Sequence, residues 1–172
     1  MVWTHFPLHP ETPEDGLALE DLFAGRNADL DAMRKRMQGL MAEEGLPYGD
    51  RTHTYNSRLA QELGKWADTG EHGPAFHSAM FRAYFVDAEN IGDVDTLIRI
   101  AESVGLDPSE ARTILEERRF REQVDADWNR SRGFGITGVP TFVANGRGAV
   151  GAQPYEVLEQ LLTEAGARPR SA

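Results

Sequence analysis

Apolar and polar positions alternate with different periods along this chain, and the changes of period mark its elements. Val2 to Phe6 is a short β-type run. Pro7, Pro10 and Pro13 end it, and the acidic, proline-rich stretch to Gly16 reads as an extended loop. A helical period then takes over. Leu19 to Phe23 is a brief amphipathic piece, and Ala28 to Glu44 carries Leu30, Met33, Met37, Leu40 and Met41 on one stripe before Gly45 stops it. Core filling is the role expected of those methionines. Gly49 to Tyr55 is a polar connection. Asn56-Ser57-Arg58 opens a helix with Leu59, Leu63 and Trp66 on one face, and Asn56 is placed as its N-cap. Pro74 to Asp87 spaces Phe76, Met80, Phe81, Tyr84 and Phe85 as a helix does. Asp93 caps a helix to Val104 that Gly105 terminates, and Asp107-Pro108-Ser109-Glu110 starts one expected to run past Trp128.

The period drops to two near the C-terminus. Gly135 and Gly138 loosen the chain, and Val139-Pro140 precedes the β-branched and aromatic run Thr141 to Ala144. Asn145-Gly146 predicts a tight hairpin with Gly148 to Val150 as the return strand. Pro154 then opens a last helix to Ala165, with Val157, Leu158, Leu161 and Leu162 expected inward. Arg168 to Ala172 reads as a frayed tail. The order strand, helical block, hairpin, helix predicts one α/β domain. Its sheet part covers about 1–16 and 133–167, and an all-helical insertion covers about 17–132.

Composition narrows the chemistry. A net charge of −10 argues against nucleic acid, which needs a basic patch to release counterions. The basic residues lie among acids, and Glu116-Glu117-Arg118-Arg119 reads as a solvated helix face. No run reaches membrane-spanning length and no signal peptide opens the chain, so a cytoplasmic protein is expected. There is no cysteine, which excludes a structural disulfide, a thiolate metal site and a cysteine nucleophile. His5, His9, His53, His72 and His77 are scattered without metal-ligand spacing. None of Ser57, Ser78, Ser103, Ser109 and Ser131 sits in a nucleophile elbow. No catalytic residue, metal or cofactor is expected from the residues themselves.

Longer patterns carry a resemblance. Gly138-Val139-Pro140-Thr141-Phe142-Val143, followed by the hairpin and Gly151-Ala152-Gln153-Pro154, resembles the DsbA family and within it the FrnE-like branch. Trp3-x-x-Phe6-Pro7-Leu8-x-Pro10-Glu11-x-Pro13, Asn56-Ser57-Arg58 and the run Phe76 to Phe85 are similar to that branch as well. The resemblance implies a thioredoxin-like sheet with a large helical insertion and a cis bond at Pro140. It implies Gly138, Val139, Pro140 and Asn56 as substrate-binding residues. The activity it implies is thiol–disulfide exchange on a polypeptide, or, in the related hydroxychromene-carboxylate isomerases and kappa-class glutathione transferases, use of a glutathione-like ligand.

In both branches the reactive residue sits on a first helix that follows a first strand, and this chain has neither. Three explanations stay open: a redox helix encoded upstream of Met1, a non-catalytic binding or assembly module, or a piece of a glutathione-dependent relative. As written, the chain is expected to be redox-inactive. The template also places a strand between Val2–Phe6 and Thr141–Ala144, so a homodimer is the expected repair of the sheet, with exchange of an element or closure into a smaller sheet as alternatives.

Overall fold

The computed structural model describes residues 2–26 and 29–168. The expected helix start at Ala28, and the expected tail beyond Arg168, lie outside the described residues. The chain forms two compact units, His9–Ala126 and Met1–Leu8 with Asp127–Ala172.

The first unit is helical. Two short strands open its fold: β1 (Leu17–Ala18) leads into α1 (Leu19–Leu22) and α2 (Leu30–Glu43), and β2 (His53–Thr54) pairs antiparallel with β1, Leu17 against Thr54. The expected polar connection therefore contains a strand. Its path is fixed at Gly49, where an added Cβ would lie 2.0 Å from the Val86 carbonyl oxygen while the Gly49 N–H donates to Phe85 O at 2.9 Å. Then follow α3 (Arg58–Ala67), α4 (Gly73–Phe85), α5 (Val94–Ser103) and α6 (Pro108–Glu116). Leu63 of α3, Phe76 of α4, Leu97 of α5 and Leu115 of α6 form the centre of one buried cluster. Each such side chain removed from water stabilises the unit by roughly 1.5–3 kcal/mol. Asp93 and Asp107 cap α5 and α6, accepting from Thr96 N at 2.7 Å and Glu110 N at 2.8 Å, contacts worth about 1 kcal/mol each.

Two expectations fail in this unit. The methionine stripe of α2 does not fill a core: no residue of α2 is buried, and Met33 and Met37 are 48% and 41% exposed. It lines an open groove. The helix expected from Asp107 past Trp128 is two helices, α6 and α7 (Arg121–Gly133). The break falls at Arg118, whose φ is +52°. Arg118 N donates to Leu115 O and Arg119 N to Ile114 O, the paired bonds that close a helix over a left-handed residue. Glycine usually fills that position. Here the arginine side chain holds the turn through Glu62; Glu116 to Arg119 are all exposed, as expected, but they form a helix end and a turn rather than one continuous helix face.

The second unit contains the C-terminal part of α7, the hairpin β3 (Thr141–Ala144) and β4 (Arg147–Val150), and α8 (Tyr155–Glu164). Asn145 and Gly146 both take positive φ, +46° and +76°, giving the tight turn that Asn-Gly predicts. The return strand begins at Arg147, opposite Ala144. Val2 to Phe6, expected as a strand, forms none, and no ladder joins it to β3 among the described residues. Its polar groups go to α7 instead: His5 N donates to Asp127 Oδ2 at 2.9 Å, and Ser131 Oγ to His5 O at 3.4 Å. Of the four residues expected inward on α8, Leu158 and Leu161 are half-buried, while Val157 and Leu162 are 39% and 51% exposed.

Candidate functional site

The loop between α7 and β3 is built by its glycines. Gly135, at φ +67°, ends α7 with the same paired bonds seen after α6: its N–H donates to Arg132 O, and Ile136 N donates to Ser131 O. Space around Gly138 is empty, and Gly138 O accepts the Thr141 hydroxyl at 2.7 Å. The Val139–Pro140 peptide bond is cis. Pro140 O accepts from Gly151 N at 2.8 Å, which ties the loop to the end of β4. Val139 itself is 52% exposed, and among the described residues its N–H and C=O take part in no hydrogen bond. The loop thus presents one free donor and one free acceptor next to the first residue of a strand. An extended chain can use both, as in strand addition to a sheet edge.

Asn56 belongs to the helical unit. Ser57 occupies the N-cap position of α3 without a side-chain cap. Asn56, one residue earlier, does the capping: its Oδ1 accepts from Arg58 N at 2.9 Å. Its amide donates to Pro10 O at 3.1 Å and Thr12 O at 3.0 Å. The amide hydrogens thereby fix the proline-rich segment, while the carbonyl caps α3.

The sequence reading missed a buried ionic network. Glu62 is fully buried on α3. Arg58 Nε donates to its Oε1 at 2.6 Å; Arg118 reaches both oxygens, Nη2 to Oε1 and Nε to Oε2, each at 2.7 Å. Arg58 also donates to Asp125 Oδ1 at 2.7 Å and to Arg121 O at 2.9 Å. Burial alone would raise the Glu62 pKa, but the hydrogen bonds from Arg118 and Arg58 outweigh it and hold the carboxyl below its ordinary value. Asp125 is lowered too, chiefly by its bond from Arg58. Two cations and two anions balance, so this network joins α3 to the α6–α7 bend and does no chemistry. The one available signal was the i,i+4 spacing of Arg58 and Glu62.

No group of three or more potential metal ligands occurs among the described residues, and no described helix is long and apolar enough to cross a membrane. His77 instead bonds Asp68 at 2.9 Å.

Comparison with known proteins agrees with this architecture. The chain is 33% identical over 113 residues to the uncharacterized protein YwbO of Bacillus subtilis (strain 168), covering 65% of this chain and 56% of that protein. It therefore spans about half the length of that curated relative. A probable DsbA oxidoreductase from Streptomyces coelicolor superposes with a TM-score of 0.83 at 31% identity, over 96% of this chain and 75% of that one. A 2-hydroxychromene-2-carboxylate isomerase superposes with a TM-score of 0.67 at 21% identity, over 88% of this chain and 70% of that one, a likeness of fold alone. The sequence profile of the DSBA-like thioredoxin domain matches residues 1–163, and the chain belongs to that family.

Proposed function

We propose that this chain is the polypeptide-binding scaffold of a DsbA-like thiol–disulfide oxidoreductase of the FrnE-like branch, and that it carries out no thiol exchange itself. Thiol–disulfide oxidoreduction is the activity type of the family, and the chain contains no cysteine to supply a thiolate. The observation that carries the reading is Val139: exposed, beside β3, with its backbone N–H and C=O both free. An extended polypeptide pairs with that residue through two main-chain hydrogen bonds. Gly138 gives it room, and Pro140 is held to β4. Asn56 belongs to the helical unit, where its side chain is taken up by the Pro10–Thr12 backbone and the start of α3. A glutathione-like ligand is the weaker alternative. One solved structure of DsbM from Pseudomonas aeruginosa is a complex with GSH, but at 20% identity it is similar in fold alone. A cytoplasmic location belongs to the same proposal, supported by a fold that depends on no disulfide.

The test is binding of an unfolded, S-carboxymethylated insulin B chain by isothermal titration. Val139→Pro removes the donor and should weaken binding about tenfold; Val139→Ala keeps the backbone and should cost less than about threefold. Equal losses in the two variants, or no binding to the parent chain, would reject the proposal. The parent chain should also leave the rate of insulin reduction by dithiothreitol unchanged.

A further inference from the structure

The free backbone groups of Val139 are the first of a row. The hairpin register pairs Thr141 with Val150, Phe142 with Ala149, Val143 with Gly148 and Ala144 with Arg147. In an antiparallel ladder, residues bonded to the partner strand alternate with residues whose N–H and C=O point outward. Both ends of the hairpin fix which are which. The two-residue Asn145-Gly146 turn closes on Ala144 and Arg147 as a bonded pair. At the other end Gly151 N donates to Pro140 O at 2.8 Å. Pro140, Phe142 and Ala144 therefore face β4. Thr141 and Val143 turn their backbone groups to the opposite edge, and no partner strand lies there among the described residues. Val139, Thr141 and Val143 thus line up free donors and acceptors along one edge.

Nothing in the sequence blunts this edge. No charged residue occurs from Gly133 to Gly146, and the register of β3 runs without a bulge. Successive side chains alternate between the two faces of the hairpin. Phe142, Ala144 and Ala149 share one face and are half-buried. Thr141, Val143, Gly148 and Val150 share the other, where Val143 is 42% and Val150 64% exposed. A strand laid beside β3 puts its residues opposite Thr141 and Val143 on that open face, where they continue the apolar strip.

We infer that the peptide site is the whole edge from Val139 to Val143, and that its occupant is an extended segment of about five residues or more with uncharged, β-branched side chains at alternate positions. The inference rests on the peptide-binding reading of Val139 and narrows the class of polypeptide that the site takes. A charged side chain at the alternate positions would lie against Val143 and Val150 without a partner.

The experiment titrates the full chain with capped peptides by calorimetry, at several protein concentrations. The probes are a heptapeptide of alternating valine and threonine with a lysine added at each end, its central tripeptide with the same lysines, and the heptapeptide with glutamate in place of every valine. The heptapeptide should bind about tenfold more tightly than the tripeptide, which reaches Val139 alone, and about tenfold more tightly than the glutamate form. Val143→Pro removes one outward N–H and leaves the bonds to β4 intact. It should weaken the heptapeptide about fivefold and the tripeptide less than twofold, while Val143→Thr, which keeps the N–H, should change neither by more than about twofold. Val139→Pro should weaken both peptides. If Val143→Pro fails to fold, amide exchange in the parent chain decides: the heptapeptide should slow exchange at both Thr141 and Val143, and the tripeptide at neither. A heptapeptide weakened by Val139→Pro but not by Val143→Pro would overturn the extended edge and leave the Val139 reading standing. A heptapeptide indifferent to both prolines would overturn both. Equal affinities for the three peptides, or an edge held by a second copy of the chain that the heptapeptide does not displace, would also overturn the inference.

Discussion

The two units of this protein are finished to different degrees. Every buried hydrophobic residue among those described, from Ala60 to Val124, lies in the helical unit, where Leu63, Phe76, Leu97 and Leu115 close one core. In the sheet unit Ser131 is the single buried residue among those described. Val143 is 42% exposed there, Val150 64% and Leu162 51%. A two-stranded hairpin with one covering helix has little independent stability. The same chain thus contains a unit that satisfies itself and a unit that presents apolar faces and a strand edge. We take the second as the acceptor of another strand, and the first as its rigid counterpart.

The largest expected effect breaks the closed half. Glu62→Ala removes the buried carboxylate that holds the largely buried Arg58 and the more exposed Arg118, and should lower the unfolding free energy in urea by about 3 kcal/mol. A change below about 1 kcal/mol would mean that the network is decorative. Next comes a matched pair of truncations, one in each unit. Leu63→Ala should cost about 3 kcal/mol, while Leu162→Ala on the open face of α8 should cost less than about 1 kcal/mol. Similar values for the two would remove the contrast between the units.

Acid sharpens the same comparison. Glu62 has its folded-state pKa below the ordinary value of 4.5. The stability its pairing contributes is therefore complete above that value, and is lost as the pH falls through the lower, folded-state one. The parent chain should lose stability more steeply than Glu62→Gln over that acidic window. Parallel curves would show that the carboxylate is not the group being titrated.

The smallest effect concerns assembly. Light scattering over a dilution series should find a homodimer, paired through the open sheet unit. Val143→Lys, a charge placed on the hairpin, should weaken that dimer about tenfold. A monomer at all concentrations would confine the open edge to binding other chains.

How far the sequence could be read follows the same division. Gly45, Gly105 and Gly135 end their helices where glycine announces it, each at positive φ. Arg118 performs the identical closing turn, but its side chain is held by Glu62, 56 residues away in sequence. No local rule reports that contact. The hairpin was readable because Asn145-Gly146 carries its own turn geometry. Val2 to Phe6 was not, because β propensity says nothing about whether a neighbouring strand exists. The methionines of α2 had the period of a buried stripe, and periodicity cannot tell a core from the wall of a groove. For the candidate site, the positions of Gly138, Val139 and Pro140 were legible as a motif. That Val139 keeps both backbone groups free was visible only in three dimensions.

Amide hydrogen exchange resolved to single residues, with and without the carboxymethylated insulin B chain, tests the central claim most directly. The account predicts slow exchange in α3, α5 and α6 at all times, and fast exchange at Val139 and Val143 that slows only when the peptide is added. Protection of Val139 and Val143 equal to that of Leu63 in the free protein, or protection unchanged by the peptide, would contradict it.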